Sequence, residues 1–98
     1  MRLGDVASVC RTKNAGAFLL TIDVVLPDEA TYRRAIERLT ADLFAELYQV
    51  PADQVHIAVW DRLRAIKATI PRWMPAGGPG DRDVFGCQQH APLLDVTL

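Results

Sequence analysis

The chain has no apolar run approaching the roughly 20 residues of a membrane-spanning helix. Its first residues, Met1-Arg2-Leu3-Gly4-Asp5, lack the long apolar segment of a signal peptide, so the cytoplasm is the expected location. Neither sign of charge dominates: 11 Lys and Arg stand against 12 Asp and Glu, a formal net charge of −1. Nucleic-acid binding needs a basic face, and this balance gives no electrostatic case for it. Cysteine is scarce. Cys10 and Cys87 are far apart, and with His56 and His90 elsewhere they match no zinc-ligand spacing. In a reducing compartment both are thiols, and Cys10, within an apolar run, reads as a small buried hydrophobe. Internal repeats and low-complexity tracts are also missing. No motif names a metal or a nucleotide, so no cofactor is expected.

What remains is an ordinary globular composition, half apolar and 23% charged over 98 residues. That is one domain, with enough chain for a single core but not for a deep private cavity. The apolar run near Arg2–Cys10 reads as a strand. A second run, Ala17–Leu26, is the most regular element. Phe18, Leu20, Ile22, Val24 and Leu26 alternate onto one face, and Leu19, Thr21, Asp23 and Val25 onto the other. Asp23 implies that this other face is not uniformly buried. Between the runs, Arg11-Thr12-Lys13-Asn14-Ala15-Gly16 reads as a basic turn, because Asn and Gly adopt positive φ at low cost.

Asp28 is a natural helix N-cap with Glu29 in the first turn, followed by Tyr32, Ala35, Ile36 and Leu39 at helical spacing. Thr40 can cap a second stretch carrying Leu43, Phe44 and Leu47. Two short helices or one kinked helix both fit, and Pro51 closes the segment. Val55–Trp60 and Ala65–Ile70 read as strands, and the compact link Asp61–Arg64 makes them an antiparallel hairpin. Lys67 points to the open face, near Asp23 if the two strands are neighbours. Pro75–Gly80 is a Gly/Pro loop, Val84–Gln89 a short helix capped by Asp81 or Asp83, and Leu93–Leu98 a terminal strand. From the second strand onward the order is strand, helix, strand, strand, short helix, strand. The expected fold class is α+β: a ferredoxin-like antiparallel sheet with helices on one face and an extra N-terminal strand. Its uncovered face can bury itself against another chain.

Three constellations carry candidate chemistry. Arg11, Lys13, Asn14 and Gly16 can hold a carboxylate or phosphate through a guanidinium fork and turn amides, or form a solvated turn. The loop Gly77-Gly78-Pro79-Gly80 can act as a flap, but it lacks the Lys-Ser/Thr of a phosphate-binding loop and the dinucleotide spacing, and equally serves as a plain connection. The densest polar block is Asp83, Cys87, Gln88, Gln89 and His90. There His90 can act as a general base oriented by Asp81 or Asp83, and Cys87 as a nucleophile if His90 lowers its pKa. Gln88 and Gln89 offer donors and acceptors to a ligand amide, or to irregular backbone in a purely structural knot. His56 reads as a surface or edge residue. Trp60, Trp73 and Met74 suit either the core or an apolar patch that a partner covers.

The segments Val9–Gly16, Thr21-Ile22-Asp23, Ala65–Arg72 and Gly80–Asp95, with the Lys-Asn-Ala-Gly and Gln-Gln-His-Ala-Pro-Leu blocks, resemble the small-domain family numbered 4387 over nearly the whole chain. That family is similar to the C-terminal ferredoxin-fold domain of AtuA, the acyclic terpene utilisation protein, although the AtuA-type domain usually has a more acidic turn where this chain has Thr12-Lys13-Asn14. The resemblance implies an accessory subunit or domain, in a homo- or hetero-oligomer, working with a larger AtuA-like protein on an organic acid or its acyl-CoA ester. Two functions are weighed. One is an interaction module. The other is the small subunit of a hydro-lyase, with Arg11 and Lys13 holding an unsaturated acid and His90 moving a proton.

Overall fold

A computed structural model describes residues 1–15, 18–71 and 91–98. The elements in order are α1 (Leu3–Val6), β1 (Val9–Asn14), β2 (Leu19–Val25), α2 (Glu29–Arg38), α3 (Ala41–Tyr48), β3 (His56–Trp60), β4 (Ala65–Pro71) and α4 (Ala91–Leu94). The fold is α+β. The four strands form one antiparallel sheet in the order β1-β2-β4-β3. β4 thus lies between β2 and β3, which are linked through α2 and α3. This is the split βαβ unit of the ferredoxin-like order. β1 occupies the edge beside β2.

That occupied edge explains one departure from expectation. The predicted terminal strand Leu93–Leu98 does not join the sheet. Ala91–Leu94 is helical, and Thr97 makes only an isolated antiparallel bridge to Arg2. The N-terminal run also differs from the predicted strand. Residues 3–6 form one helical turn that buries Leu3 completely, and the Leu3 N–H donates to Val96 O at 2.8 Å. α1 and α4 pack closely at Gly4, where a Cβ would meet the Leu94 Cβ and O at 3.1 Å. The two ends are held further by Leu98 N–H on Met1 O (2.8 Å) and by the Arg2–Asp95 ion pair (2.6 Å).

The helices follow their caps. Asp28 Oδ1 accepts from Thr31 N at 2.8 Å and starts α2, and this hydrogen bond holds the Asp28 carboxyl below its ordinary pKa. The backbone leaves helical space at Leu39 (φ −87, ψ 75), and Thr40 Oγ1 then accepts from Leu43 N to start α3. Two helices with a bend at Thr40 are therefore formed. α3 stops at a left-handed Gln49 (φ 56), two residues before Pro51.

The apolar core draws its strand residues from a single parity. Leu20, Ile22, Val24, Ile66, Ala68 and Ile70 are buried against Tyr32, Ala35, Leu39, Leu43 and Phe44 of the helices and the α2–α3 bend, with Cys10 and Ile57 partly buried beside them. Phe18 departs from the alternating face predicted for it. It precedes β2 and is 62% exposed. Among the described residues, no helix is long and apolar enough to cross a membrane.

Candidate functional site

The strand residues of opposite parity meet rung by rung on the other side of the sheet. Register sets Val9, Val25, Ala65 and Trp60 side by side in one rung. Arg11, Asp23, Lys67 and Ala58 form the next, and Lys13, Thr21, Thr69 and His56 the third. Leu19 and Pro71 close the far end. Among the described residues no helix covers this open face, which has apolar rungs at both ends and charged or hydroxyl-bearing rungs between them. Its β1 and β3 residues are exposed, while Asp23, Val25, Ala65, Lys67 and Thr69 of the central strands are half-buried. Val9, Leu19 and Trp60 count among the exposed large hydrophobic residues of the chain. Thr21, in the middle, is buried, and its Oγ1 donates to Lys13 O at 3.4 Å.

The basic residues predicted as a turn lie in a strand instead. Arg11, Lys13 and Asn14 belong to β1, paired with Asp23, Thr21 and Leu20. Sheet pairing uses backbone amides that an anion nest would need, and the pairing runs on past Asn14, with Ala15 N–H bonding Leu19 O at 3.0 Å. The alternation of a strand also divides the trio. Arg11 and Lys13 share the open face, while Asn14 lies on the helix-covered parity with Leu20. The side chain of Arg11 is 71% exposed, with its Nε 3.7 Å from Asp23 Oδ2. Asp23 faces Lys67 across the next strand, so a cation flanks it on either side. The neighbourhood of Asp23 and Lys67 expected from the sequence is thus present.

Gly16 and the polar block of Asp81, Asp83, Cys87, Gln88, Gln89 and His90 lie outside the described residues, as do the Gly/Pro loop, Trp73 and Met74. Cys10 is half-buried against the core, and burial pushes its thiol up, away from nucleophilic use. No group of three or more His, Cys, Asp or Glu positioned for a metal ion occurs among the described residues.

A second constellation was not foreseen from the sequence. Tyr32 of α2 is fully buried, and its hydroxyl donates to Asp61 Oδ1 at 2.5 Å. Burial, then the hydrogen bond to Asp61 and the charge of its carboxylate, push the phenol up to about 12. It is a donor fixed to the β3–β4 link, not a base. Arg64, left-handed at φ 51, bonds the same link to the end of β2. Its Nε donates to Leu26 O (3.2 Å) and its own carbonyl accepts from Leu26 N (3.0 Å). Next to this anchor, Trp60, Asp61, Arg62 and Leu63 line an open hollow. The signal for Tyr32 existed in its helical spacing, but nothing in the sequence ties it to Asp61, 29 residues away.

The chain belongs to the family described as a domain of unknown function, DUF4387, whose model matches residues 3–97. No curated protein and no solved structure matches it.

Proposed function

We propose that this DUF4387 domain is an accessory docking module, cytoplasmic, that works with an AtuA-like catalytic partner on an organic acid or acyl-CoA ester and binds it through the open face of the sheet. The observation that supports this is the division of strand parity. Every strand residue in the apolar core comes from one side, where Val59 at the β3 edge is nonetheless exposed by 46%, while Val9, Leu19 and Trp60 on the other are exposed by 37%, 43% and 48%. An aromatic anchor beside exposed apolar and cationic residues is the composition of a recognition surface. The family resemblance supplies the partner. Co-expression with an AtuA-like protein is expected to give a complex that survives size exclusion, and Trp60→Ser is expected to weaken it. A chain that elutes as a monomer beside an unbound partner sinks the proposal.

A second reading makes the chain the small subunit of a hydro-lyase acting on an unsaturated organic acid. It is favoured by one feature, the pair of exposed cations Arg11 and Lys13 two residues apart on one face. In this reading Arg11 and Lys13 hold the carboxylate and His90 moves the proton. Substituting Arg11 and His90 separately in the reconstituted pair tests it, and unchanged turnover in both removes it.

A further inference from the structure

We infer that the surface this open face recognises is an acidic protein surface with apolar margins; the inference rests on the docking reading above and gives that partner its chemistry. The chain carries a formal charge of −1, yet its only two lysines, Lys13 and Lys67, both stand on this face together with Arg11. The one carboxylate among these rungs is Asp23, already flanked by Arg11 and Lys67. Among the described residues, three cations against one carboxylate leave the face positive on a chain with a formal charge of −1. The complement is a patch richer in Asp and Glu, with apolar side chains positioned for Trp60 at one end and Leu19 at the other.

Dimensions make that charge matter. Strands about 4.8 Å apart and rungs about 7 Å apart give a face of roughly 14 by 20 Å in plan. That is about 280 Å², against about 800 Å² per partner in a standard interface. Apolar burial of that extent is small, so charge complementarity must guide encounter and orientation. A second copy is a poor occupant, because a two-fold contact sets the same cationic patch against itself. A nucleic-acid strand is a poorer one: among the described residues the face has a single exposed aromatic platform, Trp60, and Asp23 at its centre.

The test measures affinity for the AtuA-like partner by titration calorimetry on the full chain, comparing Lys13→Glu with the control Arg34→Glu. Arg34 is exposed on α2, on the opposite side of the sheet, and both variants change the net charge equally. Thermal melts establish that each is folded. Lys13→Glu is expected to weaken the complex about tenfold and Arg34→Glu to leave it within about twofold. Raising salt from about 50 to 500 mM should weaken the wild-type complex and flatten that difference. A complex that forms but ignores Lys13→Glu overturns the acidic surface and leaves the docking reading standing. The absence of any complex overturns both. A wild-type chain that sediments as a dimer and becomes a monomer on Lys13→Glu, or that binds a labelled single-stranded oligonucleotide more tightly than the partner, overturns the inference in favour of that occupant.

Discussion

The two sides of the sheet are made from the same four strands and the same backbone hydrogen bonds, yet one carries a closed apolar core and the other mixes charged, hydroxyl-bearing and apolar residues. On the helix side Leu20, Ile22, Val24, Ile66, Ala68 and Ile70 are all within 2% of complete burial. On the other side the rungs read Val9-Val25-Ala65-Trp60, Arg11-Asp23-Lys67-Ala58 and Lys13-Thr21-Thr69-His56. Packing fixes the first set, because a close-packed interior registers even a missing methylene. The second set is constrained less: Thr21 is buried and its companions in these rungs on β2 and β4 are half-buried, while Val9, Arg11, Lys13, His56, Ala58 and Trp60 on the edge strands are exposed. Folding and recognition are thereby assigned to alternate residues of each strand, and a substitution should report on one or the other according to parity.

The largest effect that separates the sides should come from Phe44→Ala. Phe44 is fully buried under the sheet, its ring stacked on Tyr48 with centroids 6.3 Å apart. Removing it should cost about 3–5 kcal/mol, a large share of the roughly 5–15 kcal/mol that holds a domain together. Leu19→Ala on the open side should cost under about 1 kcal/mol. Urea unfolding of both variants checks the contrast. A Leu19→Ala loss approaching that of Phe44→Ala would mean that the open side is covered after all.

A smaller effect probes the anchor between the helices and the hairpin. Tyr32→Phe keeps the buried ring and removes the hydroxyl that donates to Asp61. Asp61 is exposed and regains water, so the cost should be about 1–2 kcal/mol. The same phenol gives a pH signature. Its folded pKa is raised to about 12 from 10.0, so the folded state holds the proton more tightly than the unfolded chain. The stabilisation is complete below pH 10 and is lost as pH rises from there towards 12. Burial raises Tyr48 as well, so the folded chain should show little phenolate absorbance near pH 10. Tyr32→Phe should lose less stability than wild type between neutral pH and pH 11. Equal slopes would show that the Tyr32 phenol is neither buried nor bonded to Asp61 in solution.

Much of this was legible in the sequence wherever periodicity was unbroken. The alternation of Leu20, Ile22 and Val24, the caps at Asp28 and Thr40, and the hairpin around Asp61–Arg64 each place an element with a local physical cause. Alternation put Lys67 on the same face as Asp23, and the pairing of β2 with β4 supplies the adjacency that makes them neighbours. Three features were not legible, because their causes are not local. Residues 3–6 become helical through a contact with Val96 at the far end of the chain. Leu93–Leu98 stays out of the sheet because β1 already holds the edge it would take. Arg11–Asn14 extends as a strand because β2 supplies partners, although Asn and Gly composition alone suggests a turn. The candidate site was therefore half visible. Arg11 and Lys13 were named, while Trp60, His56 and the threonines joined them only once register was known, and Asn14 moved to the other side.

The smallest expected effect is the most discriminating for the open face. The Arg11–Asp23 contact is long, at 3.7 Å, and the arginine side chain is largely in solvent. Such a pair contributes little, since solvent screens it and ordering a long side chain opposes it. Lys67 remains opposite Asp23 when Arg11 is removed, so the carboxylate keeps a cation beside it. Arg11→Ala should then change folding stability by less than about 0.5 kcal/mol. The coupling between Arg11→Ala and Lys67→Ala in a double-mutant cycle should stay below about 1 kcal/mol. A loss above about 1.5 kcal/mol for Arg11→Ala would place this rung in a low-dielectric interior, where an unpaired carboxylate is costly. The charged centre of the face would then serve folding, as the opposite side does, and would no longer be available to meet another protein.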